Sequence, residues 1–267
     1  MTNDEFYVGW EDKAPRGHAR FVCPIVIAVI AMATIAALLF ALSQRLIGTA
    51  TFEWGNVKEF SGILRTGPYP HLVLPAEGTN HNVLGAPLVA PFKFGVKHEA
   101  ICGFDGQRVT LRATRIHRDA QLMLEVEPDS VKTSDASDSV TPAEATSLVS
   151  LGRQTIRGEI VDSKCWMGVM NPGVLTPHRA CAVRCVSGGI PSMLLVRREK
   201  APPLNLLLVS TNDQPVNAAV LDFIAEPVEI SGEVVRHGEL LTFRIDPTAI
   251  RRLRAEVRAA VKNSRTL

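Results

Sequence analysis

Apolar residues recur along this chain in three rhythms. From Phe21 to Leu42 the stretch FVCPIVIAVIAMATIAALLFAL carries no charged side chain. A helix of that length crosses a hydrocarbon core of about 30 Å. Further along, short stretches alternate apolar and polar positions, the period-two pattern of strands with one buried face. Towards the C-terminus, Ile250, Leu253, Val257 and Val261 mark an apolar stripe at helical spacing.

The alternating stretches form two matching sets. VTLRATRIHRDAQLMLEV from Val109 and VEISGEVVRHGELLTFRI from Val228 both read as strand, tight polar turn, strand. SGILR from Ser61 and RGEIV from Arg157 open the two sets. An internal duplication accounts for the match; chance likeness of two hairpins is the alternative, since alternation is easily matched. Between the sets, EPDSVKTSDASDSVTPAEATSLVS lacks aromatic residues and any apolar period, as a linker does.

The expected fold is mainly β. A stub at 1–20 and a transmembrane helix at 21–43 precede two related small antiparallel barrels, at 52–126 and 151–246, separated by a flexible linker at 127–150. An OB-like five-stranded barrel suits segments of this length and tolerates a long insertion between strands. The second barrel carries such an insertion at 162–191, between RGEIVD and MLLVRR; the matching region of the first is PYPHLVLPAEGTNHNVLGAPLVAP, rich in proline and free of cysteine. A basic amphipathic helix is expected at 247–267, with Asp246 as cap, Pro247 in its first turn, and Arg251, Arg252, Arg254, Arg258 and Lys262 on its polar faces. It would pack on its own domain, or dock on anionic lipid or an acidic partner.

The apolar segment is longer than the roughly 7–15 residues of a signal-peptide core, so a retained anchor is expected. Lys13, Arg16 and Arg20 precede it, against Arg45 and Lys58 after it, which places the N-terminus in the cytoplasm. The expected setting is a bacterial inner membrane crossed once, with the bulk of the chain in the periplasm, where disulfides form. The aromatics of FYVGW, in the stub, would rest at the interface or on a partner. A net charge of +2 with 21% charged residues gives no case for nucleic acid. The expected partners are the inner membrane and another membrane protein or complex.

Candidate chemistry gathers in CWMGVMNPGVLTPHRACAVRC, residues 165 to 185, with three of the chain's five cysteines. TPHRACAVRCVSGG reads as a short helix with Thr176 as N-cap, Pro177 in the first turn and Gly188 or Gly189 as the stop. His178, Cys181 and Cys185 then share one face, and the MNPG turn can fold Cys165 back over it. Three thiols and an imidazole suit zinc, and soft thiolates with Met167 or Met170 nearby suit copper in its reduced state. Pairing of Cys165 with Cys181 or Cys185 in a structural disulfide is the alternative, and a reactive thiol the third reading. Lys164, Arg179 and Arg184 flank the cluster as sources of positive charge.

Other signals are sparse. His98 and Cys102 could share a helical turn, although a strand or loop with a buried Cys102 is preferred. His71, His81, His117 and His237 are scattered, the last two at the matching turns, where surface placement suffices. No C-x-x-C-H, phosphate loop, nucleophile elbow or metalloprotease motif occurs. A cysteine-nucleophile enzyme would lack an evident base and oxyanion site, so a non-enzymatic role is expected.

DSKCWMGVMNPG followed by HRACAVRCVSGGIP resembles a segment of a family of bacterial single-pass membrane-anchored proteins. The resemblance covers about a tenth of the chain. It implies that Cys165, His178, Cys181 and Cys185 act as a unit and supplies no reaction. The functional expectation is a membrane-anchored accessory protein with a Cys/His metal or thiol-redox site, serving a membrane redox complex. The alternative is a disulfide-stapled interaction module without metal or catalysis.

Overall fold

A computed structural model describes residues 15–44, 50–75, 83–135, 148–199, 201–238 and 240–253. Two units are described separately, Met1–Gly48 and Thr49–Leu267. The first holds α1 (Arg16–Gln44), 29 residues, or about 43 Å at 1.5 Å per residue. It is long and apolar enough to cross a membrane, and its apolar side chains, such as Phe21 and Phe40, are exposed.

The second unit is two closed barrels. In the first, β1 (Ala50–Arg65), β2 (His71–Pro75), β3 (Val83–Val89), β4 (Arg108–Arg118) and β5 (Gln121–Val126) run in the order β1-β2-β3-β5-β4 and close through β1 against β4. A two-residue strand, β6 (Lys132–Thr133), adds to β4. In the second, β7 (Val149–Asp162), β8 (Ser192–Val196), β9 (Leu204–Ser210), β10 (Pro227–His237) and β11 (Leu240–Ile245) repeat that order, and β12 (Arg251–Arg252) adds to β10. In both, the third and fifth strands pair in parallel. This is the OB-like topology expected from the sequence.

The duplication holds residue by residue. Gly62 of β1 faces Val109 of β4, and Gly158 of β7 faces Val228 of β10. A Cβ on Gly62 would lie 2.4 Å from the Val73 carbonyl oxygen, and one on Gly158 2.7 Å from that of Leu195. Each barrel therefore needs glycine where its long first strand crosses the second. The hairpin turns carry Asp119 (φ 51°) and Gly238 (φ 57°) at corresponding places.

Three expectations are corrected. The first stretch of the linker belongs to the first barrel through β6; residues 136–147 lie outside the described residues. Asp246 caps a turn as expected, accepting from the Thr248 N–H at 2.9 Å, but the turn is one 3₁₀ turn, Pro247–Ala249. Arg251 and Arg252 then pair with β10 because strand pairing satisfies their backbone. The stretch 254–267, where most of the expected helix falls, lies outside the described residues. Finally, the proline-rich region of the first barrel forms β2 and β3. The junction matching the 162–191 insertion is the short turn 66–70.

Each barrel has its own apolar core, one around Leu64, Leu72, Leu88 and Leu111, the other around Ile160, Leu206, Val228 and Phe243. Two further clusters join the barrels. Tyr69 packs with Val161, Trp166 and Leu207, and Val89, Ile116 and Met123 pack with Cys165, Met167, Cys185 and Ile190. Burial pushes the Tyr69 hydroxyl up to about 12, so it stays protonated and donates to the Leu208 carbonyl at 2.8 Å. Arg118 of β4 stacks 3.9 Å over the Trp166 ring and donates to its carbonyl at 2.8 Å. The insertion is thus a wedge between the barrels.

Candidate metal centre

The insertion leaves β7 at Asp162, makes one π-helical turn over Cys165–Val169, then enters α2 (Leu175–Ser187). The helix begins one residue ahead of Thr176, and its first N–H, on Leu175, is taken by the Glu159 carboxylate. It stops at Gly188, whose N–H reaches the carbonyls of Arg184 and Cys185, as the sequence suggested. His178 and Cys185 face inward and are buried, and Cys181 is half-buried beside them. The π turn brings Cys165, 3% exposed, over that face.

The three sulfurs form a compact set. Cys165 Sγ lies 4.0 Å from both Cys181 Sγ and Cys185 Sγ, and all three cysteines are free thiols. Four thiolates around a zinc ion at about 2.3 Å would stand about 3.8 Å apart, so the spacing matches one metal ion. Two donor sets share Cys165: one adds His178 and Cys181, the other Asp162 and Cys185, with ligand atoms within 4.8 Å of one another.

Asp162 organises the centre. It is fully buried, with one carboxylate oxygen accepting from the Cys165 N–H at 2.8 Å and the other 2.9 Å from His178 Nε2. A carboxylate on one ring nitrogen fixes the imidazole's orientation, the usual support for a metal-binding histidine.

The positive charge at the thiols comes from the other barrel. Lys93, in the loop after β3, donates to Cys181 Sγ at 2.8 Å and to Cys185 Sγ at 3.8 Å. The Cys181 contact holds the Lys93 ammonium above its ordinary value. A hydrogen bond from Cys165, aided by Lys93, lowers Cys185. The same bond, with burial and the Asp162 carboxylate, pushes Cys165 far up. Cys185 is therefore the readier thiolate and Cys165 the proton donor.

Lys164 and Arg179, two of the cations flanking the cluster in sequence, point elsewhere, a correction to the sequence reading. Lys164, 1% exposed, meets Glu125 at 2.5 Å and donates to the carbonyls of Ala90 and Phe92 at 2.9 and 2.8 Å. Arg179 pairs with Glu226 at 2.6 Å. Lys164 thereby pins the loop that presents Lys93. The chain of that loop packs directly on the end of α2, where a Cβ on Gly188 would fall 2.1 Å from the Lys93 carbonyl oxygen.

Other expectations also shift. Cys102 is exposed on a 3₁₀ turn and its neighbour Ile101 is the buried residue, packed in the core of the first barrel. His237 is buried, its ring centroid 5.3 Å from that of His71 at 89°. The two strand ends meet between the barrels, which one-barrel reasoning could not anticipate. His117 stays partly exposed near Glu53, and His81 lies outside the described residues.

Comparison with models of protein families, with curated proteins and with solved structures finds no match. The chemistry of the centre therefore rests on its own geometry.

Proposed function

We propose that this protein is a membrane-anchored accessory protein that holds one soft metal ion, zinc or copper, through Cys165, Cys181, Cys185 and His178. The observation that carries this reading is the 4.0 Å spacing of Cys165 from both other sulfurs, with His178 already oriented by Asp162. Thiolates and imidazole favour such ions over magnesium or calcium. Lys93 offsets thiolate charge and must release Cys181 when the ion enters.

The setting proposed is a bacterial inner membrane, with α1 as a single anchor, the N-terminus cytoplasmic and both barrels periplasmic. There the protein serves as a subunit or assembly factor of a membrane redox complex. Support comes from the length and apolarity of α1 and from Phe92 and Phe94, exposed on either side of Lys93, which offer a partner an apolar handhold beside the site. Thiol redox is the second reading, favoured because Cys165 stands equally near two sulfurs. A disulfide-stapled interaction module, without metal or catalysis, is the separate alternative.

The test is the full chain, exported and purified in detergent without chelator, assayed for metal and free thiols on one sample. One ion per chain with reduced cysteines, lost in Cys181→Ser, is expected. Metal-free protein, with Cys165→Ser altering only stability, contradicts the proposal.

A further inference from the structure

Lys93 is placed with more care than charge compensation requires. Lys164 holds the carbonyls of Ala90 and Phe92, and Phe92 adopts a left-handed backbone (φ 63°) that a side chain of that size rarely takes. Gly95 donates its N–H to the Gly188 carbonyl at 3.0 Å, and a Cβ on Gly95 would fall 2.3 Å from the Gly189 carbonyl oxygen. All of this fixes the Lys93 ammonium 2.8 Å from Cys181 Sγ, well inside the 4.0 Å that separates Cys165 from either other sulfur. A single oxygen bonded to both atoms spans about this distance at ordinary N–O and O–S bond lengths.

We propose that Lys93 and Cys181 form a reversible covalent crosslink under oxidation, one oxygen atom bridging Lys93 Nζ and Cys181 Sγ. Both residues are half-exposed, whereas Cys165 and Cys185 are buried, so peroxide meets Cys181 first. One hydrogen peroxide converts the Cys181 thiol to a sulfenic acid and is reduced to water. The Lys93 ammonium releases one proton to solvent, and the amine and a second peroxide then complete the bridge: an N–H and the sulfenic O–H break, the N–O bond forms, and two further waters leave. The net product is Lys–NH–O–S–Cys. Excess dithiol reverses it, returning amine, thiol and water.

The bridge takes one sulfur out of the cluster, so the oxidised cluster keeps Cys165 and Cys185 as its thiols. Formation of the crosslink does not depend on the metal reading, since it uses atoms already in contact. If both hold, oxidation closes the metal site and reduction opens it.

The test treats metal-free full chain in detergent with hydrogen peroxide, followed by proteolysis and mass spectrometry under non-reducing conditions. The expected product joins the Lys93 and Cys181 peptides with a gain of about 14 Da, one oxygen in and two hydrogens out, and dithiothreitol dissolves it. Lys93→Arg keeps the charge and is expected to abolish the crosslink while the chain stays folded by its circular dichroism. A disulfide from Cys165 to Cys181 or Cys185, or Cys181 oxidised with Lys93 unmodified, overturns the inference. Zinc uptake by the reduced chain is measured separately, so a crosslink without zinc uptake sinks only the metal reading, and zinc uptake without a crosslink sinks only the inference.

Discussion

Lys164→Met removes a buried charge whose three donors are all in use. The Lys164 ammonium is 2% exposed at its side chain and meets Glu125, 11% exposed, at 2.5 Å, with the Ala90 and Phe92 carbonyls as its other partners. Methionine has similar length and bulk, so little cavity forms. What remains is a buried carboxylate and two carbonyls without that donor, and removing one partner of a buried ion pair costs about 3–5 kcal/mol. In a folded unit of this size each kcal/mol lowers Tm by about 2–4 °C, giving a fall of about 6–20 °C. Urea and thermal unfolding of the full chain in detergent, read by tryptophan fluorescence, measure it. Because Lys164 also pins the Lys93 loop, zinc affinity is expected to fall in the same variant. Lys164→Met with Glu125→Leu leaves no unpaired charge and is expected to recover more than half the loss. A loss under about 1 kcal/mol in the single variant, or a double variant no better than the single, refutes the role given to this pair.

Three further outcomes follow from the geometry. Burial lowers His71 from 6.5 to about 4, so the unfolded chain takes up the proton first as pH falls; stability from this group is present above about 6.5 and lost towards about 4, about 2 kcal/mol of it between pH 7 and 5. Urea midpoints at those pH values should show that loss in the wild type and a loss smaller by that amount in His71→Leu; equal losses contradict it. Gly188→Ala drives a methyl into the Lys93 carbonyl and is expected to cost about 1–3 kcal/mol and weaken zinc binding in a competition titration; unchanged affinity would show that the loop is dispensable. Cys102→Ser, at an exposed sulfur that donates to the Glu99 carbonyl at 3.8 Å, is expected to leave metal content and Tm unchanged.

What the sequence disclosed was local or repeated. The Val109 and Val228 hairpins were legible because alternation and turn chemistry recur in step, and those stretches carry the same register. His178, Cys181 and Cys185 could be put on one face because helical spacing is a local rule. Lys93 could not be found that way: it is far from Cys181 in the chain and joins it only because two barrels clamp one wedge. Asp162 looked like an ordinary strand end, although the polar residue closing a strand just before a ligand loop is a signal worth reading. His71 and His237 meet for the same reason as Lys93 and Cys181, through contact between barrels. Lys164 misled because nearness in sequence to Cys165 says nothing of side-chain direction, and adjacent residues point apart.

X-ray absorption at the metal edge of the reduced, metal-loaded full chain tests the metal centre most directly. Three sulfur ligands at about 2.3 Å and one imidazole nitrogen at about 2.0 Å are expected for zinc, with a sulfur shell that shrinks in Cys165→Ser, Cys181→Ser and Cys185→Ser alike. A shell of oxygen and nitrogen alone, or one unchanged in these variants, would mean that the thiols do not hold the ion.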